Sequence, residues 1–235
     1  MITLYPYEKL GHANHGWLDA RHHFSFASYH NPARRGFGVL RVINDDVVAA
    51  GNGFDTHPHR DMEIITYVRK GAITHRDSQG NQGRTSAGNV QVMSAGTGIF
   101  HSEYNLESED TNLYQIWIEP SRQGVKPRWD MRAFPQEPVR DALSLLVSGK
   151  EEEDTLTIHQ DARIYAGRLL AGTRITHPIT HQAYILASQG ELEVDGVRMK
   201  KGDGAEVTNL SEVAITALTD AEVLVIDVPE RTPYH

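Results

Sequence analysis

The chain has 235 residues, a formal net charge of −8 and a pI near 5.9, and it contains no cysteine. The acidic balance excludes general electrostatic attraction to nucleic acid or to anionic membranes, because both require basic patches. The lack of cysteine excludes disulfides, zinc ribbons and iron–sulfur clusters. It leaves imidazole and carboxylate as the strong metal ligands, which suit a borderline-to-hard ion.

The length permits one large β domain or two domains of about a hundred residues each. The N-terminus lacks a basic start followed by an apolar stretch and a small-residue cleavage site, and nowhere do eighteen apolar residues follow one another. We therefore expect a soluble, cytoplasmic protein.

The first thirty residues contain five histidines without a regular spacing: His12, His15, His22, His23 and His30. We interpret them as mainly structural or surface residues, with one or two covering the mouth of a barrel. The basic pair Arg34-Arg35 follows Asn31-Pro32, which predicts a solvated turn.

Two motifs with a period of two follow: His57-Pro58-His59, with Glu63 after it, and His101-Ser102-Glu103. Residues two apart project from the same face of a strand. Glycines divide the segment into strand-length stretches, and residues 63–68 and 89–93 have the composition or alternation of strands. Two such pairs facing each other inside a small barrel would bring three imidazoles and a carboxylate to one point, which predicts a metal site. An unbroken strand would also put Asp61 and Glu63 on the ligand face, so Glu63 and Glu103 are both eligible.

The C-terminal half echoes this β pattern, since Gly71 and Gly88 are matched by Gly190 and Gly202 around a second turn. The echo predicts two domains, residues 1–133 and 134–235, with the proline-rich stretch 120–138 as connector. An acidic run at 151–154 predicts a solvated loop. At matching offsets the second half lacks the ligands, so its domain is predicted to lack the metal site, although His177 and His181 leave a displaced site open. The residues at those offsets are Thr176, Pro178, Ile215 and Ala217.

The segment 57–63, together with His75-Arg76-Asp77-Ser78 and residues 96–103, resembles the signature of the pirin family within the cupin superfamily. The resemblance implies an all-β fold of two tandem cupin (jelly-roll) β-barrels, a bicupin, with metal in the N-terminal barrel only. It also implies a ligand set: His57, His59, His101 and Glu103. Most cupins take their carboxylate ligand from the position of Glu63. By resemblance Glu103 is assigned to the metal instead, and Glu63 is left as a hydrogen-bond partner of a ligand histidine or as a base.

Three imidazoles and a carboxylate leave open positions on an octahedral ion, which favours Fe(II) or another divalent ion such as Mn, Co, Ni or Cu; Zn is also compatible. The resemblance to pirin-like quercetin 2,3-dioxygenases implies a flavonol bound through its 3-hydroxyl group, addition of O₂ and release of carbon monoxide, with Glu103 as the candidate base. Four residues near the motifs are predicted to be barrel core, and an aromatic pocket is the other interpretation: Phe54, Met93, Ile99 and Phe100.

Two other functions stay open. A metal-dependent binding or redox-sensing regulatory protein, as proposed for some pirins, would use an exposed surface and an unspecified protein partner. A sugar isomerase or epimerase would need basic residues in the barrel, whereas the strand with His57 and His59 offers mainly acids. Fold alone does not fix the chemistry.

Overall fold

The computed structural model describes residues 1–151 and 154–232, so the predicted acidic loop has its middle residues, Glu152 and Glu153, outside the described residues. The first half has one short 3-10 helix, Tyr7–Lys9. Its strands are β1 (Ile2–Tyr5), β2 (Gly11–Asn14), β3 (Leu18–His22), β4 (Leu40–Val48), β5 (Gly53–His59), β6 (Glu63–Lys70), β7 (Ala72–Asp77), β8 (Gln82–Ser86), β9 (Asn89–Ser94), β10 (Ile99–Tyr104), β11 (Thr111–Ile118) and β12 (Arg128–Ala133).

The second half consists of shorter strands and tight turns. Its strands are β13 (Ser144–Ser148), β14 (Leu156–Thr157), β15 (Arg163–Leu169), β16 (Arg174–Pro178), β17 (Gln182–Gln189), β18 (Leu192–Val194), β19 (Val197–Met199), β20 (Gly204–Val207), β21 (Glu212–Ala217) and β22 (Ala221–Val228). Across the described ranges, no helix has the length and apolar character needed to cross a membrane.

Each half forms one seven-stranded and one four-stranded sheet. The first half has the orders β12-β9-β6-β11-β4-β3-β2 and β5-β10-β7-β8, and the second half has β1-β20-β17-β22-β15-β13-β14 and β16-β21-β18-β19. The four-stranded sheets correspond strand for strand. Closing two sheets of this kind around a core leaves few exposed edges. The predicted all-β bicupin fold is confirmed.

The N-terminus and the proline-rich connector each supply an outer strand to a large sheet. Strand β1 pairs with β20 in the second half, with Ile2 opposite Val207 and Tyr5 opposite Gly204. Strand β12, within the connector, pairs with β9. The N-terminal residues thus complete the sheet of the C-terminal half, and the division at residues 133 and 134 stays a prediction.

The largest apolar cluster joins the two large sheets to each other. It contains Ile65 and Tyr67 of β6 together with Tyr184 and Leu186 of β17. Alternate residues of a strand point to opposite faces, and Ile64 accordingly belongs to a separate cluster inside the first barrel. Strand β6 is therefore buried on both faces.

The interiors of the two barrels differ in polarity. A row of buried polar side chains crosses four neighbouring strands of the first barrel: Gln91, Thr66, Gln115 and Asn44. Ile185 corresponds to Thr66, because each precedes its landmark glycine, Gly190 or Gly71, by the same number of residues. The residues paired across the strands at this level of the second barrel are apolar: Ala205, Ile185 and Val225. One large apolar cluster fills the second barrel. Burying polar groups costs free energy unless they are paired, so the polar interior marks the first barrel as the functional one.

Arg34 is not part of a solvated turn, and that prediction was wrong for the first residue of the pair. Its Nε donates to the backbone oxygen of His23, and its guanidinium pairs with Glu206 at 2.5 Å and lies 3.4 Å from the centre of the Tyr5 ring. Arg35 is exposed, as expected. Arg34 therefore joins the N-terminal segment to the second half of the chain.

Candidate metal centre

The two histidine motifs lie on paired strands of the small sheet. In the antiparallel ladder of β5 and β10, His57 is directly opposite His101, and His59 is opposite Ile99. Strand β5 is the edge of the sheet, which explains why Pro58, without an N–H group, is tolerated between the two histidines. The two motifs therefore face each other, which is the condition that the metal-site prediction required.

Three imidazole Nε2 atoms converge at this point. His101 Nε2 lies 3.0 Å from His57 Nε2 and 3.1 Å from His59 Nε2, and one ligand nitrogen from each ring lies within 4.8 Å of those of the other two. Two nitrogens bound at right angles to one ion, each about 2.1 Å from it, are about 3.0 Å apart. The triad could hold a metal ion.

The protonation of the triad suits metal binding. The Nδ1–H of His57 donates to the backbone oxygen of Asp55 at 2.6 Å, which leaves the Nε2 lone pair free to face the other rings. Burial lowers the pKa of His59 to about 4, and burial together with the neighbouring imidazoles lowers the pKa of His101 to about 2. Both rings are therefore neutral at physiological pH, the form that binds metal.

Glu103 is buried beside the triad, behind His101. Its Oε1 is 3.8 Å from His101 Nδ1, and its two oxygens accept hydrogen bonds from the side-chain amides of Gln91 and Gln115, each at 3.1 Å. Burial raises the pKa of Glu103 to about 7. The carboxylate lies outside the group of converging nitrogens, so its place among the ligands stays a prediction.

Glu63 does not lie on the ligand face. Strand β5 ends at His59, Asp61 adopts a positive φ of 44°, and β6 begins at Glu63. The turn breaks the alternation, so the condition under which Glu63 would share the ligand face, an unbroken strand, is not met. Glu63 Oε1 accepts hydrogen bonds from Ser94 Oγ and from the backbone N–H of His159 in the second half, and it has no bond to a triad histidine among the hydrogen bonds of the described residues.

Replacing Glu63 by glutamine is expected to remove one loss of stability that the metal-free protein undergoes as the pH rises from about 4.5 to 7. Burial raises the pKa of Glu63 from 4.5 to about 7, so the native state keeps a proton that the unfolded chain releases. The contribution of Glu63 to the free energy of unfolding therefore falls as the pH rises through this window, by about 3 kcal/mol. Glutamine keeps both hydrogen bonds, because both donors bond to Oε1. Urea unfolding of both proteins at pH 5 and pH 8 tests this, and an equal pH dependence in the two would contradict it.

A cleft of about 500 Å³ lies beside the triad and is lined by Pro58, His59, Arg60 and Phe100, among others. Its volume is in the range of small-molecule sites. Phe100 is 55% exposed, whereas Met93 and Ile99 belong to the buried core. The core interpretation is therefore confirmed for Met93, whereas Ile99 is buried and also lines the cleft. Phe54 packs with Trp17, away from this cleft.

The N-terminal segment approaches the triad through aromatic rings. His59 contacts Trp117 edge-on at 5.1 Å between ring centres, Trp117 contacts Phe26 at 5.6 Å, and Phe26 contacts His22 at 5.4 Å. His22 is buried and bonded to Asn44, in line with the structural role expected of it. Trp117 was missed in the sequence, because its contact with His59 joins strands of two different sheets, β11 and β5, which lie far apart in the chain.

The second barrel has one histidine in a comparable position. His177 is opposite Val213 in the ladder of β16 and β21, as His57 is opposite His101 in the first barrel. His177 is buried against Tyr165, while His181 is partly exposed and pairs with Asp161. The two do not meet at one point, so the structure gives no support to a displaced site.

Comparison with known proteins places the chain in a family. The Pirin family model matches residues 5–118, and the model described as the quercetinase C-terminal cupin domain matches residues 145–228. A Pseudomonas aeruginosa protein, provisionally named a quercetin 2,3-dioxygenase, is 54% identical over 97% of this chain and 100% of its own length. The quercetin 2,3-dioxygenase of Escherichia coli K12 is 45% identical over 97% of this chain and 99% of its own length.

The solved structures agree with these matches. The crystal structure of the Escherichia coli bacterial pirin YhhW in complex with nickel(II) is 44% identical, covers 98% of this chain and 100% of its own, and has a TM-score of 0.92. Identity at this level over the whole length leaves one assignment. The chain belongs to the pirin family of the cupin superfamily.

Proposed function

We propose that the protein is a metal-dependent dioxygenase that opens the flavonol ring of quercetin with O₂ and releases carbon monoxide. The observation that carries the proposal is the convergence of three imidazole nitrogens in the polar barrel of the first half. The name of the Escherichia coli relative, quercetin 2,3-dioxygenase, supports the same reaction.

The metal would be held by His57, His59 and His101, with Glu103 as the fourth ligand. Fe(II) is the ion that we propose, and the nickel in the Escherichia coli pirin structure indicates that a related site accepts another divalent ion. Such an ion supplies binding and activation of the substrate hydroxyl group and of dioxygen. The predicted metal-free C-terminal domain, residues 134–235, would act as support.

The residues of the chain would bind the substrate and move its proton. The cleft beside His59 offers Pro58 and the exposed ring of Phe100 to a flat aromatic molecule. Glu103 is buried and already held by two amide donors, so a proton taken from the flavonol 3-hydroxyl group would stay out of water. This makes Glu103 the proposed base.

The test is anaerobic loading of the metal-free protein with Fe(II), Mn(II), Co(II), Ni(II), Cu(II) or Zn(II), followed by addition of quercetin and air-saturated buffer. We expect oxygen uptake and carbon monoxide release in equal amounts with at least one redox-active metal, and none with the metal-free protein. Full metal occupancy without turnover would overturn the dioxygenase assignment. That outcome would favour the alternative, a metal-dependent binding or redox-sensing protein of the pirin type.

A further inference from the structure

A line of hydrogen bonds runs from the triad into the interior of the first barrel. His101 Nδ1 lies 3.4 Å from His75 Nδ1, and His75 Nε2 lies 2.6 Å from Asp77 Oδ2. The side chains of His75 and Asp77 are fully buried. The His75 ring is also stacked on Trp129, with 5.0 Å between ring centres and an angle of 9°, so its orientation is fixed.

The positions of the protons follow from this line. Because His101 Nε2 faces His57 and His59, a metal-binding His101 carries its proton on Nδ1. That proton can be accepted by His75 Nδ1 only if the proton of His75 is on Nε2. There it is donated to the Asp77 carboxylate, which accepts and cannot donate when ionised. One arrangement of protons therefore satisfies every bond in the line.

We propose that Asp77 and His75 are positioning residues that set the tautomer of His101, so that its Nε2 lone pair is directed at the metal. The proposal rests on the metal centre of the proposed function, but not on its substrate. Ligand histidines commonly donate their second N–H to a carboxylate, and here a second imidazole lies between the two. Glu103 is the more distant acceptor, because its Oε1 lies 3.8 Å from His101 Nδ1, beyond hydrogen-bond range.

The surroundings of Asp77 make Asp77→Asn a directed test. Asp77 Oδ1 accepts the backbone N–H groups of Gln79, at 2.8 Å, and Asn81, at 3.2 Å. Asparagine must therefore keep its oxygen at that position and present its NH₂ group to His75 Nε2. His75 would then accept at Nε2 and carry its proton on Nδ1, which moves the proton of His101 to Nε2 and blocks the lone pair needed by the metal.

The first measurement uses metal-free protein labelled with ¹⁵N at histidine, in which long-range ¹H–¹⁵N NMR spectra distinguish the two tautomers. We expect the Nδ1–H form for His101 and the Nε2–H form for His75 in the wild type, and the reverse of both in Asp77→Asn. The second measurement is Zn(II) affinity by chelator competition, which is expected to fall about 10- to 100-fold in Asp77→Asn.

Two controls separate positioning from damage to the turn. Asn81→Ala removes the Asn81 side-chain donor to Asp77 and is expected to leave Zn(II) affinity within about twofold of the wild type. His75→Phe keeps an aromatic ring against Trp129 but removes the hydrogen bonds that connect His101 to Asp77. In that background, adding Asp77→Asn should cause no further loss of affinity.

The outcomes are distinct from those of the proposed function. A wild-type protein that binds Zn(II) but shows no quercetin turnover with any metal would refute the dioxygenase and leave this proposal standing. Wild-type tautomers opposite to those expected would refute the positioning role whatever the activity, and this result does not depend on any variant. Asp77→Asn with the wild-type melting temperature and unchanged Zn(II) affinity would also refute it.

Discussion

Replacing His101 by alanine is expected to lower the affinity for a divalent metal by more than about 100-fold, since changes to residues that only orient ligands already cost 10- to 100-fold. Within the triad, the Nε2 atom of His101 lies within 3.1 Å of the Nε2 atoms of both His57 and His59. Without His101, the imidazoles of His57 and His59 remain, and both come from strand β5 at one side of the site. Metal-dependent turnover of quercetin should disappear with the metal, as measured by metal content after dialysis and by oxygen uptake.

His177→Ala is the matched control, because His177 occupies the comparable place on β16 in the second barrel. We expect this variant to lose stability through the cavity that it creates, while it keeps one metal ion per chain and the wild-type affinity. A His101→Ala protein that is folded and still binds metal with wild-type affinity would contradict the proposed site.

Replacing Glu103 by glutamine is expected to lower kcat with quercetin by about 100- to 10,000-fold at saturating metal, the usual contribution of general acid–base catalysis. The carboxylate accepts one amide donor at each oxygen, from Gln91 and Gln115. Glutamine has the same shape but must turn its NH₂ group toward one of these donors, so the variant loses a hydrogen bond as well as the charge. Steady-state oxygen uptake with protein of known metal content gives kcat and KM separately.

Glu63→Gln is the matched control for the loss of a buried carboxylate. Glu63 is as deeply buried as Glu103 but bonds to Ser94 and to the backbone of His159 instead. The kcat of Glu63→Gln should stay within about threefold of the wild type, because Glu63 bonds to Ser94 and to the His159 backbone and not to a triad histidine among the described residues, and sites without shared partners act independently. Wild-type kcat in a metal-loaded Glu103→Gln protein would remove Glu103 from the role of base.

The triad could be predicted from the sequence because it depends on two local patterns. A period of two on each strand puts His57 with His59 and His101 with Glu103, and the only further requirement is that the two strands pair. The duplicated glycines likewise identified two β units, and the bicupin fold agrees with them. Glu103 as the fourth ligand stays a prediction, because it was implied by the family resemblance. The division between residues 133 and 134 also stays a prediction, because it was placed from the proline-rich connector alone.

Sequence-based prediction failed where the position of a side chain depends on strand register, on a distant contact or on a single backbone angle. Asp61 adopts a left-handed conformation that is uncommon outside glycine, and after it the chain leaves the sheet of His57 and His59 and enters the large sheet at Glu63. Arg34 forms an ion pair with Glu206, which lies 172 residues away in the sequence. No local sequence pattern predicts such a contact. The polar row across the first barrel is equally invisible in a single strand, since Gln91, Thr66 and Gln115 meet only through strand pairing.

The most direct test of the metal centre is a crystal structure of the Fe(II)-loaded protein with anomalous diffraction measured at the iron absorption edge. We predict one anomalous peak per chain, within about 2.3 Å of the Nε2 atoms of His57, His59 and His101. A peak in the second barrel or on the surface, with none at the triad of fully loaded protein, would contradict the account.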